Sequence, residues 1–263
     1  MGVVKQPEIV EGNYLYAIIA CPEPREFRVR GIGERGDLVH TINYRRLAAV
    51  VSDSPVIEYD NCRRNMMALM LVLDEVMEEF DLLPVRFGTI SPNPEAIETK
   101  LLAPRYDEFT QLLGGMENRV ELGLKAFWYE GVAIDEVVRE NEAIRKMRDA
   151  LEGRSPAETY YARIRLGEAV EKALSEKRER EAEAILSCIR PHVHKTRTNK
   201  ITSDRMVLNA AFLVDAAKEL DVDAVVQMLD EKFSDRLMFK YVGPVPPYNF
   251  VSIAVNWGVE GVA

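Results

Sequence analysis

The fold is framed by residues 235–251, which read DRLMFKYVGPVPPYNFV. β-Branched and aromatic residues over Leu237–Val242 and Asn249–Val255 predict two strands. The residues between them include three prolines, at 244, 246 and 247, which supply no N–H group to a sheet ladder. They therefore predict a rigid connector. No side chain in the stretch is a nucleophile or a convincing general base, so we interpret it as framework.

The composition limits the class of protein. At 263 residues the chain is long enough for one large or two ordinary domains. Apolar residues make up 47% of it and charged residues 29%, so it can bury a sizeable core and remain soluble. The formal net charge of −9 argues against a nucleic-acid backbone or an anionic lipid membrane as the main partner.

The cysteines and the N-terminal residues predict the cellular compartment of the protein. Cys21, Cys62 and Cys188 are far apart and lack Cys-x-x-Cys spacing, which is typical of reduced cytosolic thiols. The first residues, MGVVKQPE, lack the apolar core of a signal peptide. The longest apolar run, Met66–Leu73, has eight residues and is too short to cross a bilayer. We expect a soluble cytoplasmic protein.

The first 115 residues alternate between strand and helix patterns, and Gly114-Gly115 closes them. They predict an N-terminal mixed α+β domain over residues 1–115. Its predicted elements are strands at Tyr14–Ala20, Asp37–Ile42, Leu47–Ser52 and Leu83–Ile90, a helix at Asn61–Phe80, and a helix from Pro94 to about Leu113 with a break at Pro104.

Residues 116–263 follow the order β-α-β-β-α-β, which is that of a ferredoxin-like domain. The first helical region is extended, because a capping box at Ser155–Glu158 opens a long helix over 156–190, about 50 Å at 1.5 Å per residue. Asn249–Val255 would add an extra edge strand. The predicted elements are Val120–Tyr129, Ile134–Leu151, the long helix, Val193–Thr198, Met206–Val214, Val222–Phe233 and Leu237–Val242.

Gly31–Gly36 reads GIGERG and matches the G-x-G-x-x-G pattern of dinucleotide-binding loops. That mechanism needs a helix N-terminus after the loop to hold the pyrophosphate. Here Asp37–Ile42 has the pattern of a strand, and Glu34 would repel phosphate. We therefore interpret the stretch as a glycine-rich turn and predict no cofactor.

Catalytic and metal-binding patterns are equally weak. His192 and His194 alternate in a predicted strand and share a face, but a metal site needs three or four converging ligands, and His40 is distant in sequence. No serine lies in a Gly-x-Ser-x-Gly elbow, and no acid–base pair stands out. The sequence thus predicts no catalytic, cofactor-binding or metal residues, and leaves any partner-binding residues unknown.

Two helical segments permit a structural or a partner-binding interpretation. Met66, Met67, Met70 and Met77 suit an adaptable partner groove, but the apolar run favours a helix buried on both sides. The charged run over 175–183 of the long helix predicts a part that projects into water, with a partner-docking arm as the alternative.

Five blocks in order carry a resemblance to a known family, and it runs over nearly the whole chain. Together they resemble the gas vesicle protein GvpF/GvpL family, whose members often carry a histidine where this chain has Leu69. The blocks are YLYAII at 14–19, LAAVVSD at 47–53, LPVRFGTI at 83–90, DRMVLNAAFLV at 204–214 and FKYVGPVPPYNFV at 239–251.

The resemblance implies a gas vesicle accessory or minor structural protein that is needed for assembly and is not an enzyme. It also implies two α+β domains, the second a modified ferredoxin-like fold, and a contact with the small apolar shell protein GvpA and other gas vesicle proteins. Two other classes stay open: a small-molecule-binding regulator, and an enzyme that uses Arg86, Tyr106 or the histidine pair.

Overall fold

The computed structural model describes residues 10–257 and has a mixed α+β fold. The chain forms two compact units. One holds the described residues up to Glu121 together with those from Pro244 onward, and the other holds Leu122–Gly243. The domain bounds of 1–115 and 116–263 stay a prediction.

The first unit is built on a six-stranded sheet in the order β2-β3-β4-β1-β5, with β6 also paired to β1. β1 is apolar along almost its whole length, so it lies buried between antiparallel neighbours β4 and β5. The strands are β1 Glu11–Ile19, β2 Glu26–Arg30, β3 Leu38–Tyr44, β4 Leu47–Pro55, β5 Leu82–Pro84 and β6 Ile90–Ser91.

The helices of this unit cover the sheet. α1 spans Arg63–Met77 and buries the apolar positions that recur at helical spacing, including Leu69, which is 1% exposed. The second predicted helix is divided near Pro104, as expected. Its parts are α2 Pro94–Ala96, a π-helix over Ile97–Leu102 and α3 Tyr106–Gly114.

The second unit has a four-stranded sheet in the order β10-β7-β9-β8. The predicted β8–β9 antiparallel pair is confirmed, with Lys195 opposite Leu213. β9 is an interior strand, and its amide Asn209 donates to the Lys200 carbonyl at 3.0 Å. The elements are β7 Arg119–Trp128, α4 Val132–Glu140, α5 Glu142–Asp149, α6 Tyr160–Ile189, β8 Lys195–Thr198, β9 Met206–Asp215, α7 Glu219–Phe233 and β10 Leu237–Val245.

Two helix predictions need correction. The predicted helix over Ile134–Leu151 is α4 followed by α5, because Asn141 is extended and its side chain caps the N–H of Ile144 at 3.2 Å. The long helix starts at Tyr160, one turn after Ser155, whose hydroxyl lies 3.4 Å from the Glu158 N–H.

The strand predictions need three corrections. The strand predicted over Leu83–Ile90 is two short strands, β5 and β6, with a turn between them. β2 was missed, although Phe27 and Val29 alternate with charged residues there. The extra strand predicted over 249–255 does not form in the described residues, where Ile253 makes an isolated bridge with Val85. Val251 and Ile253 of this segment are buried in the first unit. Asn249 is held by the buried Glu121 carboxylate, with Nδ2 2.6 Å and N 2.8 Å from its oxygens.

Candidate functional site

The glycine-rich segment is the predicted turn, followed by β3. Gly33 and Gly36 have φ angles of 93° and 77°, which favour glycine. A Cβ on Gly31 would lie 2.3 Å from Oγ of Ser52, so this glycine permits a close approach to the core. The backbone explains these glycines without a nucleotide.

The other residues singled out in the sequence are scattered. His192 ends a 3₁₀ turn and His194 precedes β8, so they do not share a strand face. Arg86 is exposed, and its backbone N–H donates to the Ile253 carbonyl. The cysteines are all free. Within residues 10–257, no group of three or more His, Cys, Asp or Glu side chains could hold a metal ion. No helix in that range is long and apolar enough to cross a membrane.

A cleft of about 500 Å³ lies in the first unit. Tyr106 lines it, but Arg86 does not. Burial raises the pKa of the Asp81 carboxyl; the N–H of Asn118 opposes this shift and the Glu117 charge adds to it. Among the described residues that line the cleft, none is His, Cys or Ser. The lining residues are Ala20, Arg46, Leu47, Glu79, Phe80, Asp81, Tyr106, Thr110, Leu113, Gly114 and Glu117.

The second unit buries a cluster of ionised side chains. Nζ of Lys177 lies 2.9 Å from Glu136 and 3.3 Å from Glu181. Arg236 contacts both carboxylates, with Nε 2.6 Å from Oε1 of Glu136. The indole N–H of Trp128 donates to Glu181 at 2.6 Å. The cluster joins α4 and α6 to β7 and to the residue just before β10.

The electrostatics of this cluster are those of a structural site. The hydrogen bond from Arg236 holds the pKa of Glu136 at about 2, against the opposing effect of burial and with further help from Lys177. Burial lowers the pKa of Lys177, but its two carboxylate partners outweigh this and raise it. Both groups therefore stay charged at neutral pH, and neither is suited to exchange protons as an acid or a base.

The prediction that the charged run projects into water was wrong for one face of α6 and holds for the other, where Glu176, Glu179 and Arg180 are exposed. Lys177 is 5% exposed, and Arg178 donates to the Met206 and Asp204 carbonyls at 3.0 and 2.9 Å and lies over the Trp128 ring. A signal was present in the sequence. Lys177 and Glu181 continue at four-residue steps into Ile185 and Ile189, which are buried, so all four share one face of α6.

Large apolar side chains are exposed at several places, among them α1 and the start of α6. On α1, Met67 is 54% and Leu71 58% exposed. At the start of α6, Tyr160, Tyr161 and Ile164 are 60, 78 and 43% exposed, and the two tyrosine rings contact each other edge to face. We call these three residues the α6 patch. Exposed apolar groups that cluster in this way mark protein–protein contact sites more often than singly scattered ones do.

Comparison with known proteins shows relatives over nearly the whole chain. A sequence model of the family described as gas vesicle synthesis protein GvpL/GvpF matches residues 12–252. Gas vesicle protein F of Nostoc sp. is 26% identical over 245 residues, covering 92% of this chain and 99% of the relative. Gas vesicle protein F1 of Halobacterium salinarum is 28% identical over 251 residues, covering 94% and 96%.

Solved structures agree with the sequence comparison. The crystal structure of the gas vesicle protein GvpF from Anabaena sp. superposes with a TM-score of 0.81 at 26% identity, covering 93% of this chain and 100% of that one. GvpF from Microcystis aeruginosa has the same fold, with a TM-score of 0.76 at 24% identity and coverage of 91% and 98%. The chain therefore belongs to the gas vesicle synthesis protein GvpL/GvpF family.

Proposed function

We propose that this protein is a gas vesicle accessory or minor structural protein that binds the apolar shell protein GvpA and supports vesicle assembly. The observation that carries the proposal is the family match over residues 12–252. The exposed side chains of Met67, Leu71 and the α6 patch support it, because they offer apolar contact area on an acidic body.

The physical logic concerns aggregation. A small apolar shell subunit exposes surface that self-associates before it is built into the shell. A partner with a net charge of −9 would cover that surface and keep the complex soluble. In this proposal the protein works in the cytoplasm and on the vesicle. It has no turnover of its own, needs no cofactor, and binds neither nucleic acid nor lipid membrane.

We also propose that the second unit, Leu122–Gly243, is a modified ferredoxin-like domain. The chain order β-α-β-β-α-β and the strand order β10-β7-β9-β8 support this. The α4–α5–α6 region would be the modification, because it replaces one crossover helix by three.

Coexpression with the cognate shell protein tests the proposed function. More shell protein should stay soluble, and the two should co-purify without added nucleotide or metal. Deletion of the gene should leave cells without buoyant vesicles. A His192→Ala/His194→Ala variant serves as the control and should restore them. If the deletion strain still floats and the purified proteins do not associate, the assembly role is wrong.

The cleft beside Tyr106 favours a second candidate, a small-molecule-binding regulator, because its volume of about 500 Å³ would fit a metabolite. A thermal-shift screen of metabolites, repeated with a Tyr106→Phe/Arg46→Gln variant, tests this candidate. A saturable rise in Tm that the variant loses would support it, and no rise with any compound would exclude it.

A further inference from the structure

The solvent-facing side of α1 has an ordered chemical pattern. Met67, Leu71, Asp74 and Glu78 follow one another at steps of four, three and four residues, so they lie on one stripe of the helix, opposite its buried face. We call these four residues the α1 stripe. It passes from apolar to acidic over about 10 Å between Leu71 and Glu78, at 1.5 Å per residue.

Leu71, Asp74 and Glu78 of the α1 stripe line one wall of an open groove of about 780 Å³, and β2 forms the other. Met67 lies on the same stripe about one turn before Leu71, next to the groove. Five carboxylates and two arginines line the groove, an excess of three negative charges. Its lining residues are Arg25, Glu26, Phe27, Arg28, Val29, Leu71, Asp74, Glu75, Glu78 and Glu79.

Only one of these five carboxylates has an ion pair among the described residues. Glu79 is paired with Arg25, and Glu75 accepts backbone N–H groups of β2. Within residues 10–257, neither Asp74 nor Glu78 forms an ion pair with a Lys or Arg side chain. Burial raises the pKa of the Asp74 carboxyl, and a nearby cation would oppose this shift. The acidic end of the groove therefore complements a positively charged ligand.

The backbone of β2 indicates which shape of ligand fits. An extended segment binds a sheet edge through the free N–H and C=O groups of that edge. Here the N–H groups of Arg28 and Val29 are already bonded to Glu75, at 2.6 and 2.8 Å. A helix needs no such groups, and it can lay an apolar face on Met67 and Leu71.

We propose that this groove binds an amphipathic helix of the shell protein, one that carries two apolar side chains a turn apart and Lys or Arg about 10 Å further along its axis. This inference rests on the proposed function and assigns the docking surface to the first unit. The apolar pair supplies the contact area, and Asp74 and Glu78 set the direction in which the helix lies.

Overlapping synthetic peptides of about 20 residues, which span the cognate shell protein, give a direct probe. Binding of labelled peptides to the full chain is measured by fluorescence anisotropy at several salt concentrations. A basic amphipathic peptide should bind and gain helical circular dichroism. Met67→Ser/Leu71→Ser should weaken binding roughly tenfold. Asp74→Asn/Glu78→Gln should weaken it several-fold and flatten its salt dependence.

Leu220→Ser is the matched control, since Leu220 on α7 is 80% exposed and lies outside the groove. It should leave binding unchanged. Single variants Leu71→Ser and Glu78→Gln repeat the test if a double variant does not fold. If the wild-type chain co-purifies with shell protein and every groove variant does so to the same extent, the groove assignment is wrong and the proposed function stands. If the wild-type chain co-purifies with no shell protein, the proposed function itself fails.

Discussion

The Glu75 carboxylate in α1 accepts the backbone N–H of Val29 in β2 at 2.8 Å, and its other oxygen accepts the N–H of Arg28 at 2.6 Å. β2 is an edge strand, and these two residues interrupt its register with β3 between Phe27 and Arg30. A bulged edge leaves donors that could pair with another chain. Glu75 closes that edge from within the molecule.

Replacing Glu75 by Gln should destabilise the protein by about 1–3 kcal/mol, because the amide can accept one of the two N–H groups but turns a donor towards the other. Urea unfolding measures this. Glu78→Gln on the same helix is the control and should change the free energy of unfolding by less than about 0.5 kcal/mol. Equal stability of the two variants would show that the Glu75 contact contributes nothing.

Lys177→Met should be among the most damaging single changes in the second unit. It leaves Glu136 and Glu181 with Arg236 and with the exposed Arg139, which lies 3.9 Å from Glu136. Breaking a buried cluster of this kind typically costs about 3–5 kcal/mol. Lys146→Met is the matched control, because Lys146 pairs with Glu142 on an exposed face. We expect less than about 1 kcal/mol there. Similar losses in the two chemical melts would contradict a buried cluster.

Lowering the pH should reduce the free energy of unfolding, because Glu136 becomes protonated. Its folded-state pKa of about 2 lies below the ordinary 4.5, so its stabilisation is fully present above pH 4.5 and is lost as the pH falls towards 2. The contribution is roughly 3 kcal/mol. Denaturant melts between pH 6 and pH 2 should show a slope that Glu136→Gln reduces. An unchanged slope in that variant would assign acid unfolding to other carboxylates.

Arg178 and Arg180 provide a paired test on one helix. Arg178→Ala removes two hydrogen bonds to carbonyls and the contact with the Trp128 ring, so we expect a loss of about 1–3 kcal/mol. Arg180 is exposed, and Arg180→Ala should stay within about 0.5 kcal/mol. The difference between the two variants in chemical denaturation is the measured quantity. No difference would mean that the Arg178 contacts are as weak as surface ones.

Periodicity explains why most elements could be predicted. α1 has apolar residues at helical spacing, and the nearly continuous apolar run of β9 is bounded in length as a buried strand is. The strand prediction over 249–255 was wrong because an apolar segment can be buried without pairing to a strand. Here Val251 and Ile253 are buried by packing in the first unit, without the ladder of a strand. The apolar composition of a segment indicates that it is buried, but it does not indicate whether its backbone pairs with a strand.

The interaction surfaces could be predicted only in part. Met67 and Leu71 lie within an apolar run that favours a fully buried helix, and the sequence has no signal for the side that β2 leaves open. The cluster around Lys177 depends on Glu136, 41 positions earlier, and on Arg236, 59 positions later. Such long-range pairing is set by the packing of α4 on α6. It leaves no pattern within a short stretch of sequence.

The segment from Pro244 onward has a consequence for synthesis. It completes the first unit, where Asn249 satisfies the Glu121 carboxylate and Ile253 bridges to Val85. During synthesis the N-terminal part of that unit emerges from the ribosome long before these residues do. The second unit, Leu122–Gly243, emerges as one continuous stretch. Co-translational folding should therefore finish in the second unit first. A nascent chain paused before Pro244 would expose an unfinished first unit to chaperones.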